Sequence, residues 1–532
     1  MTTQRIKWED SMRKISLVSA LLAGTAIATP AISGGHLQIV EGDPLELTIQ
    51  MNHRAYPVYE EDWPVEQKAR ELTNVHLVDV TVGANMRTDS ENTGRTEALN
   101  LMLASGEIPD IVGSSRIKDF VNQYGPEGAF VPLNDLIDEH APNIKAYLDE
   151  RPDIAAALKA ADGQMYYIPY LPDGKYGRAY WIRTDWLNNL GLEVPQTVDE
   201  FENVLRAFKT QDPNGNGEAD EIPLFFRQWP ELIRMVTLWD GRAHGSDTYH
   251  DFLVEDGKIS HGYIGEGYRE GIKNLARWYA EGLIDAEVFT RGSSARDFLL
   301  SENLGGATHD WFASTGGYNS LSEQIDGFEF KAMAPPASPS GKRVEEHRRI
   351  LIKPDGWAIG YTNEHPVETI KYFDFWFTEE GRRLANFGVE GEQYDLVDGK
   401  PIFKQEFLDA GPVNRSLYQI GSQLQGRGYF QDYNYEIQWT NEFALEGIEL
   451  YDQGDYLIPD FLGVAFTADE QKVYDKSWGS VRDYMLERQQ AWILGSSDIE
   501  AEWDDYLAQL DSLGLQDVLE VMQSAYERQY GG

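Results

Sequence analysis

The stretch RAYWIRTDWLNNLGLEVPQTVDEFENVLRAFKT, residues 178–210, decides the fold class. It reads as a strand, a helix with a glycine-containing stop, and a second helix capped at Thr197. Thr197 followed three residues later by Glu200 is a capping box, in which each side chain satisfies a free backbone donor of the first turn. Working outward, LELTIQMNHR at 45–54 alternates like a strand and runs into a polar loop. RTEALNLMLASGEIPDIVGSS at 95–115 is a helix that stops at Gly106, a break at Pro109 and a short buried strand. GIKNLARWYAEGLID at 271–285 is another amphipathic helix with a glycine stop, and from about Ser416 the chain is mainly helical and aromatic. Recurring strand–helix–strand order predicts α/β layering with a mostly parallel sheet. The 532 residues suffice for two or more compact units, with no internal repeat or low-complexity linker between them. Two glycine- and proline-rich spots, YLPDGKYGR at 170–178 and APPASPSGKR at 334–343, look like crossings between lobes, although spacing alone reads them as surface loops.

Lys and Arg number 46 against 88 Asp and Glu, a formal net charge of −42. Such a surface repels nucleic-acid phosphates and anionic lipid headgroups, which excludes both as expected partners. Aromatic residues are 12% of the chain, with 14 Trp and 28 Tyr, a supply of rings with polar edges suited to stacking on a partly polar ligand. There is no cysteine, which excludes disulfides, thiol nucleophiles, Cys-ligated metals and lipid tethering through a processed cysteine. Arg13 and Lys14 precede the apolar run ISLVSALLAGTAIA at 15–28, with small-residue cleavage options ending at Ala28 and Ser33. Residues 1–33 therefore read as a secretory signal, too short in its apolar part for the roughly 18–20 residues of a membrane span. The expectation is a soluble protein outside the cytoplasm, not lipid-anchored.

The segment KTQDPNGNGEADEIPLFF at 209–226 poses a separate question. Counting Asp212 as one, Asp212, Asn214 and Asn216 fall on one, three and five, with Gly217 at six, the opening of a calcium loop. Position twelve, where a bidentate Glu belongs, is Pro223, and the acids sit at nine and ten, Asp220 and Glu221. This is no EF-hand with a following ligand helix. A shortened loop still closes if Asp212, Asn214, Asn216, Asp220 and Glu221 give side-chain oxygens and Glu218 its backbone carbonyl, enough for a cation that takes six to eight oxygens. A loop that seals its own ion leaves no place for substrate, so the expected Ca2+ is structural, pinning the chain ahead of the PLFF strand.

Reacting constellations are thin. HExxH, GxSxG and GxxxxGK[ST] are all absent. GEGYREG at 265–271 misses the dinucleotide fingerprint by one residue, and no strand precedes it. The 10 His are scattered, none paired at metal spacing. Carboxylates are too numerous for counting to exclude a glycosidase pair.

LNLMLASGEIPDIV, the 180–223 segment, WYAEGLID and NFGVEGEQYDLVDGKP resemble the extracellular solute-binding proteins of ABC sugar importers, and more narrowly the periplasmic alginate oligosaccharide-binding proteins. The resemblance runs from about Leu45 to the end, through MYYIPYLPDG, THDWFAST, KPDGWAI and QDYNYEIQWT. It implies a two-lobed α/β periplasmic binding protein fold of type II kind, a sugar cleft between the lobes and a helix-rich C-terminal part. The expected lobes are 43–174 with about 350–395, and 175–349 with about 396–532. It also implies closure on ligand, delivery to ABC permease subunits in the inner membrane, no catalysis, and a calcium ion in the same acidic loop. Ligand contacts carry over onto Tyr166, Trp311, Arg349, Tyr435 and Trp439, while Arg54, Tyr170 and Trp357 are added from their place after the first strand or beside the proposed crossings.

The chemistry of those residue types agrees. A pyranose C–H face stacks on flat rings, and the planar guanidinium fork pairs bidentately with a uronate carboxylate. A protein of charge −42 can bind an anionic sugar if a local cation lines a shielded cleft, because charges beyond about 10 Å are screened at 0.1 M salt. The expected function is periplasmic capture, by a monomer, of acidic oligosaccharides, alginate-derived uronates first. Mannuronate, guluronate and pectin-type preferences stay open. The alternatives are a secreted calcium-dependent lyase or hydrolase, and a binder of neutral sugar or peptide on the same scaffold.

Overall fold

The computed structural model describes residues 38–52, 59–81, 93–243 and 251–531. Two sheets organise it. The first has six strands: β1 (Leu45–Asn52), β2 (Val75–Asp79), β3 (Ile111–Ser114), β4 (Ile168–Leu171), β11 (Gly356–Ile359) and β14 (Tyr429–Phe430), in the order β14-β4-β11-β3-β1-β2. The second has four: β5 (Arg178–Arg183), β6 (Ile222–Leu224), β9 (Gly305–Trp311) and β10 (Phe330–Met333), in the order β10-β5-β9-β6. Two ribbons, β7–β8 (Phe252–Glu255 with Lys258–His261) and β12–β13 (Tyr394–Val397 with Lys400–Phe403), stand apart from the sheets.

The opening stretch folds as read apart from one half of its capping box. RAYWIR is β5, buried throughout, and Gly191 at φ 67° ends the helix Thr184–Leu190. The helix Val198–Thr210 buries Val198, Phe201, Val204, Leu205 and Phe208 on one face, the spacing of a core-facing stripe. Thr197 Oγ1 accepts from Glu200 N–H at 3.2 Å. The reciprocal half lands one residue early, on Gln196 N–H at 2.7 Å, rather than on Thr197. The helix at 271–285 begins sooner than its sequence suggests, at Glu266, and stops at Ala280 before Gly282.

The expectation of a mostly parallel sheet fits the first sheet, where every strand but β11 runs one way, and is corrected in the second. β1 runs parallel to β2 and β3, but β11 runs antiparallel to both β3 and β4. In the second sheet β5 is antiparallel to β9 and β10, and only β6–β9 is parallel. The reason is connectivity. β5 and β11 enter their sheets directly from the opposite sheet, without the crossover helix that makes neighbours parallel.

Among the described residues three segments cross between the halves: 172–177 joins β4 to β5, 334–355 joins β10 to β11, and 431–441 joins β14 to the helix Glu442–Gly454, which packs on β10. Residues 334–343, expected as a crossing, stay with the second half. Ala337 N–H bonds Gln196 O at 2.9 Å, and Ser338 Oγ bonds Asp240 at 2.7 Å. The strand that crosses is the one after it. The hydrophobic cores separate the same way. Leu47, Ile49, Val112, Trp357 and Trp376 belong to one, and Trp186, Phe201, Phe208, Trp278 and Val236 to another. The expected first-lobe ranges supply β1–β4 and β11, and β14 joins that sheet from beyond residue 395 by pairing with β4. Helices Ala468–Ile493, Ile499–Leu513 and Leu515–Tyr530 close the chain, the first with a full Thr467–Glu470 capping box.

Candidate functional site

The crossings are laced together. Arg349 N–H donates to Lys175 O at 2.8 Å and Gly177 N–H to His347 O at 2.9 Å, so 175–177 and 347–349 run as an antiparallel pair. The third crossing joins when Tyr433 N–H donates to Asp173 Oδ2 at 3.1 Å. Over this lattice lies the Arg349 guanidinium. Its Nη1 and Nη2 donate to the two Glu436 oxygens at 2.8 and 2.7 Å, and Nη2 also reaches Gln431 Oε1 at 3.1 Å. The planar group sits 4.6 Å from the Tyr433 ring centre. Burial works against the Arg349 charge, but Glu436 more than offsets it and holds the cation in place. Gly174 is required here: its φ is +93°, and a Cβ would meet Arg349 Cδ at 2.8 Å.

Around Arg349 the third crossing supplies rings. Tyr435 is buried among Phe387, Tyr394 and Phe403, and its hydroxyl accepts from Gln431 Nε2 at 3.2 Å. The Trp439 ring is 6.1 Å away, half-buried, with its indole N–H buried and unpartnered. Tyr170 stacks on Tyr429 at 4.8 Å. Its phenol is raised, first by burial, and Arg349 acts on it in the opposite direction.

Trp311 stands on the other side of the first crossing, at the end of β9, 36% exposed. One face is taken: the guanidinium of Arg178, its cross-strand partner, lies 4.2 Å from the ring centre. Sequence reading missed Arg178, which only the β5–β9 register reveals. Arg178 is buried, and its Nη1 donates to Glu231 at 2.9 Å. Burial opposes ionisation of Glu231, yet Arg234, Arg178 and Arg227 together hold it down at about 2.

The structure thus gathers Tyr170, Arg349, Tyr435 and Trp439 at the crossings, with Trp311 across Gly174–Gly177. Two other expected contacts pack in the first core. Trp357 is wholly buried in β11, stacked 4.4 Å from Phe373, because an extended apolar strand in mid-sheet has no open face. Tyr166 is also core; it covers Gly125 and donates to Asp162 at 2.6 Å. Arg54 lies outside the described residues. A cavity of about 1420 Å³ opens beside the same 334–355 crossing, lined by Arg116, Lys118, Arg348, Ile350, Asp460 and Tyr474 among others, and none of the expected contacts among the described residues lines it.

The loop at 212–221 folds around tight turns at Asp212, Gly215 and Gly217, with φ of 47°, 71° and 84°. Asp212 accepts from the backbone N–H groups of Asn216 at 3.1 Å and Gly217 at 3.0 Å. Asn216 Nδ2 reaches Asp220 at 3.1 Å, and Asn214 Nδ2 ties the loop to Asn303 O at 3.1 Å. Glu221 is the odd member, 1% exposed, with neither carboxyl oxygen hydrogen-bonded. Burial pushes its pKa up, the nearby backbone N–H groups of Glu221 and Asn214 partly offset the rise, and Asp220 and Asp212 add to it. A buried carboxylate without a full hydrogen bond, beside two more acids, is an arrangement that a divalent cation resolves. Asp212, Asn214, Asn216, Asp220, Glu221 and the Glu218 carbonyl fit an oxygen-ligated ion.

A family model described as bacterial extracellular solute-binding protein matches residues 73–383. The crystal structure of the alginate-binding protein AlgQ2 without calcium ion has 46% sequence identity and a TM-score of 0.76, covering 93% of this chain and 100% of that one. The fructooligosaccharide ABC transporter substrate-binding protein FusA of Streptococcus pneumoniae serotype 4 (strain ATCC BAA-334 / TIGR4) is 28% identical over 485 residues, 87% of this chain and 86% of FusA. An EF-hand mutant of FusA in complex with fructo-nystose shares the fold, with TM-score 0.65 and 24% identity over 91% of this chain and 99% of that one. Relatives of this kind are binding proteins of ABC transporters rather than enzymes, which removes the lyase or hydrolase alternative. With the family model spanning more than half of its length, and a relative at 46% identity across 93% of it, this chain belongs to the bacterial extracellular solute-binding proteins.

Proposed function

We propose that the chain captures acidic oligosaccharides in the periplasm, alginate-derived uronates first, and hands them as a monomer to an ABC permease. The observation that carries this is Arg349: a guanidinium fork already gripping a carboxylate, that of Glu436, at the junction of three crossings beside Tyr435 and Trp439. A ligand uronate reaches the same fork by displacing Glu436, whose carboxylate must then take another partner or a proton, so the exchange carries an electrostatic cost. Trp311 offers its free face to a pyranose ring. The 46% identity to an alginate-binding protein supports the same ligand class. Residues 1–33 are the export signal, and the lobes divide near residues 174–175 and 349–350.

Calcium in the 212–221 loop is structural in this reading. Support comes from the unpartnered Glu221 carboxylate and from relatives studied as a calcium-free form and as an EF-hand mutant. One observation favours a second ligand class. Glu436 neutralises Arg349, and FusA is a fructooligosaccharide protein, so a neutral oligosaccharide is the competing reading. Titration calorimetry with alginate, polygalacturonate and neutral oligosaccharides, with and without chelator, separates the two. Saturable heat with the uronates is expected; saturable heat with a neutral sugar alone removes the acidic specificity.

A further inference from the structure

In sequence the histidines look scattered, and folding changes that for two of them. His309 in β9 and His347 on the crossing strand converge on Glu345, with one potential ligand atom from each within 4.8 Å of the others. Glu345 Oε2 lies 2.9 Å from His309 Nε2, and Glu345 Oε1 lies 3.5 Å from His347 Nδ1. All three side chains are buried. A tetrahedral zinc shell with bonds of about 2.0–2.2 Å sets its ligand atoms roughly 3.3–3.6 Å apart, which small side-chain rotations reach from ligand atoms within 4.8 Å of one another.

We propose that His309, Glu345 and His347 bind a divalent transition metal of the zinc class, at the root of the crossings and separate from the calcium loop. Two imidazoles and a carboxylate suit zinc and its neighbours, whereas calcium takes oxygen alone. Glu345 and His347, two residues apart on extended chain, project to one face, and β9 presents His309 opposite. His309 faces Glu345 with Nε2, while its other ring nitrogen, Nδ1, is buried and unpartnered. Arg234 lines the same small gap with Tyr180 and Thr237; burial and Arg178 work against its charge, and Glu231, Asp310 and Glu345 support it. A dication there meets repulsion from Arg234, a cost common to all dications, and the imidazole ligands favour ions that bind nitrogen tightly over magnesium or calcium.

Location gives the site its consequence. Trp311 is two residues beyond His309, and Arg349 is two beyond His347. A bound ion clamps β9 to the crossing strand directly behind both side chains and so biases the sugar site. That consequence rests on the binding reading above; metal uptake does not.

The test strips tag-free protein with chelator, restores excess calcium to fill oxygen sites, and titrates zinc(II) by calorimetry with no sugar present. X-ray absorption of the zinc-loaded wild-type chain reads the ligand atoms, so the result stands even where a variant misfolds. One zinc per chain is expected, in a shell containing two imidazoles. A His347→Gln protein with native circular dichroism is expected to bind at least about tenfold more weakly, since even outer-shell partners of metal ligands cost that much. No saturable uptake, a shell of oxygens alone, or unchanged uptake in folded His347→Gln protein overturns the proposal. Failure here leaves the sugar reading standing, and sugar binding that fails in the calorimetric panel leaves this one standing.

Discussion

The 212–221 loop and the crossing site are built on opposite plans. The loop draws every oxygen from ten consecutive residues, and its turns at Gly215 and Gly217 set the spacing. The crossing site draws Asp173, Arg349 and Tyr433 from three separate passes of the chain, and the bond from Tyr433 to Asp173 spans 260 residues. A local site tolerates movement of everything around it. An assembled site depends on strand register, so its residues fail together when the crossings shift.

The largest expected effect tests the loop. Calcium at one hundred times its dissociation constant stabilises by about 2.7 kcal/mol, so chelation lowers the calorimetric unfolding temperature. An unchanged temperature means that the loop closes without metal. The metal-free protein also carries a pH signature. The raised Glu221 pKa means that the folded state holds its proton more tightly than the unfolded state does. Its contribution is therefore present below the ordinary carboxylate range and fades as pH rises through the raised value. Calcium replaces the proton and flattens that slope. A metal-free midpoint that does not fall across this window contradicts the assignment of Glu221.

Next comes the crossing site. Trp311→Ala is expected to weaken acidic oligosaccharide binding by roughly 1–3 kcal/mol, from lost burial and stacking; unchanged calorimetric affinity takes Trp311 out of the site. Arg349→Lys keeps the charge and loses the fork. It is expected to weaken uronate binding about tenfold, or about 1.4 kcal/mol, while leaving neutral sugars untouched. Equal losses for both ligands point to disturbed crossings instead. The smallest effect returns to the loop. Glu218 is exposed and supplies only its carbonyl, so Glu218→Ala is expected to change calcium-loaded stability by less than about 0.5 kcal/mol. A larger loss measured by chemical denaturation brings its carboxylate into the ion's shell.

Legibility followed the same division. The Thr197 cap, the apolar stripe of the helix Val198–Thr210 and the short strand at β3 each express a preference settled within a few residues. The mixed direction of the sheets was not legible, because β5 and β11 take their sense from a crossing rather than from their own residues. Trp311 and Trp357 show the limit most clearly. Both are tryptophans in strand-like segments, yet one ends a strand facing solvent and the other lies in the middle of a six-stranded sheet. Side-chain type cannot separate those fates.

By itself, then, the amino-acid order determined the secondary elements, the acidic loop and the family resemblance, since each depends on spacing along the chain. Only the tertiary structure decided that Arg178 backs Trp311, that Glu436 fills the Arg349 fork and that His309 meets His347. Those meetings depend on which strands become neighbours, a choice made by the burial of two whole cores rather than by any residue that takes part in them.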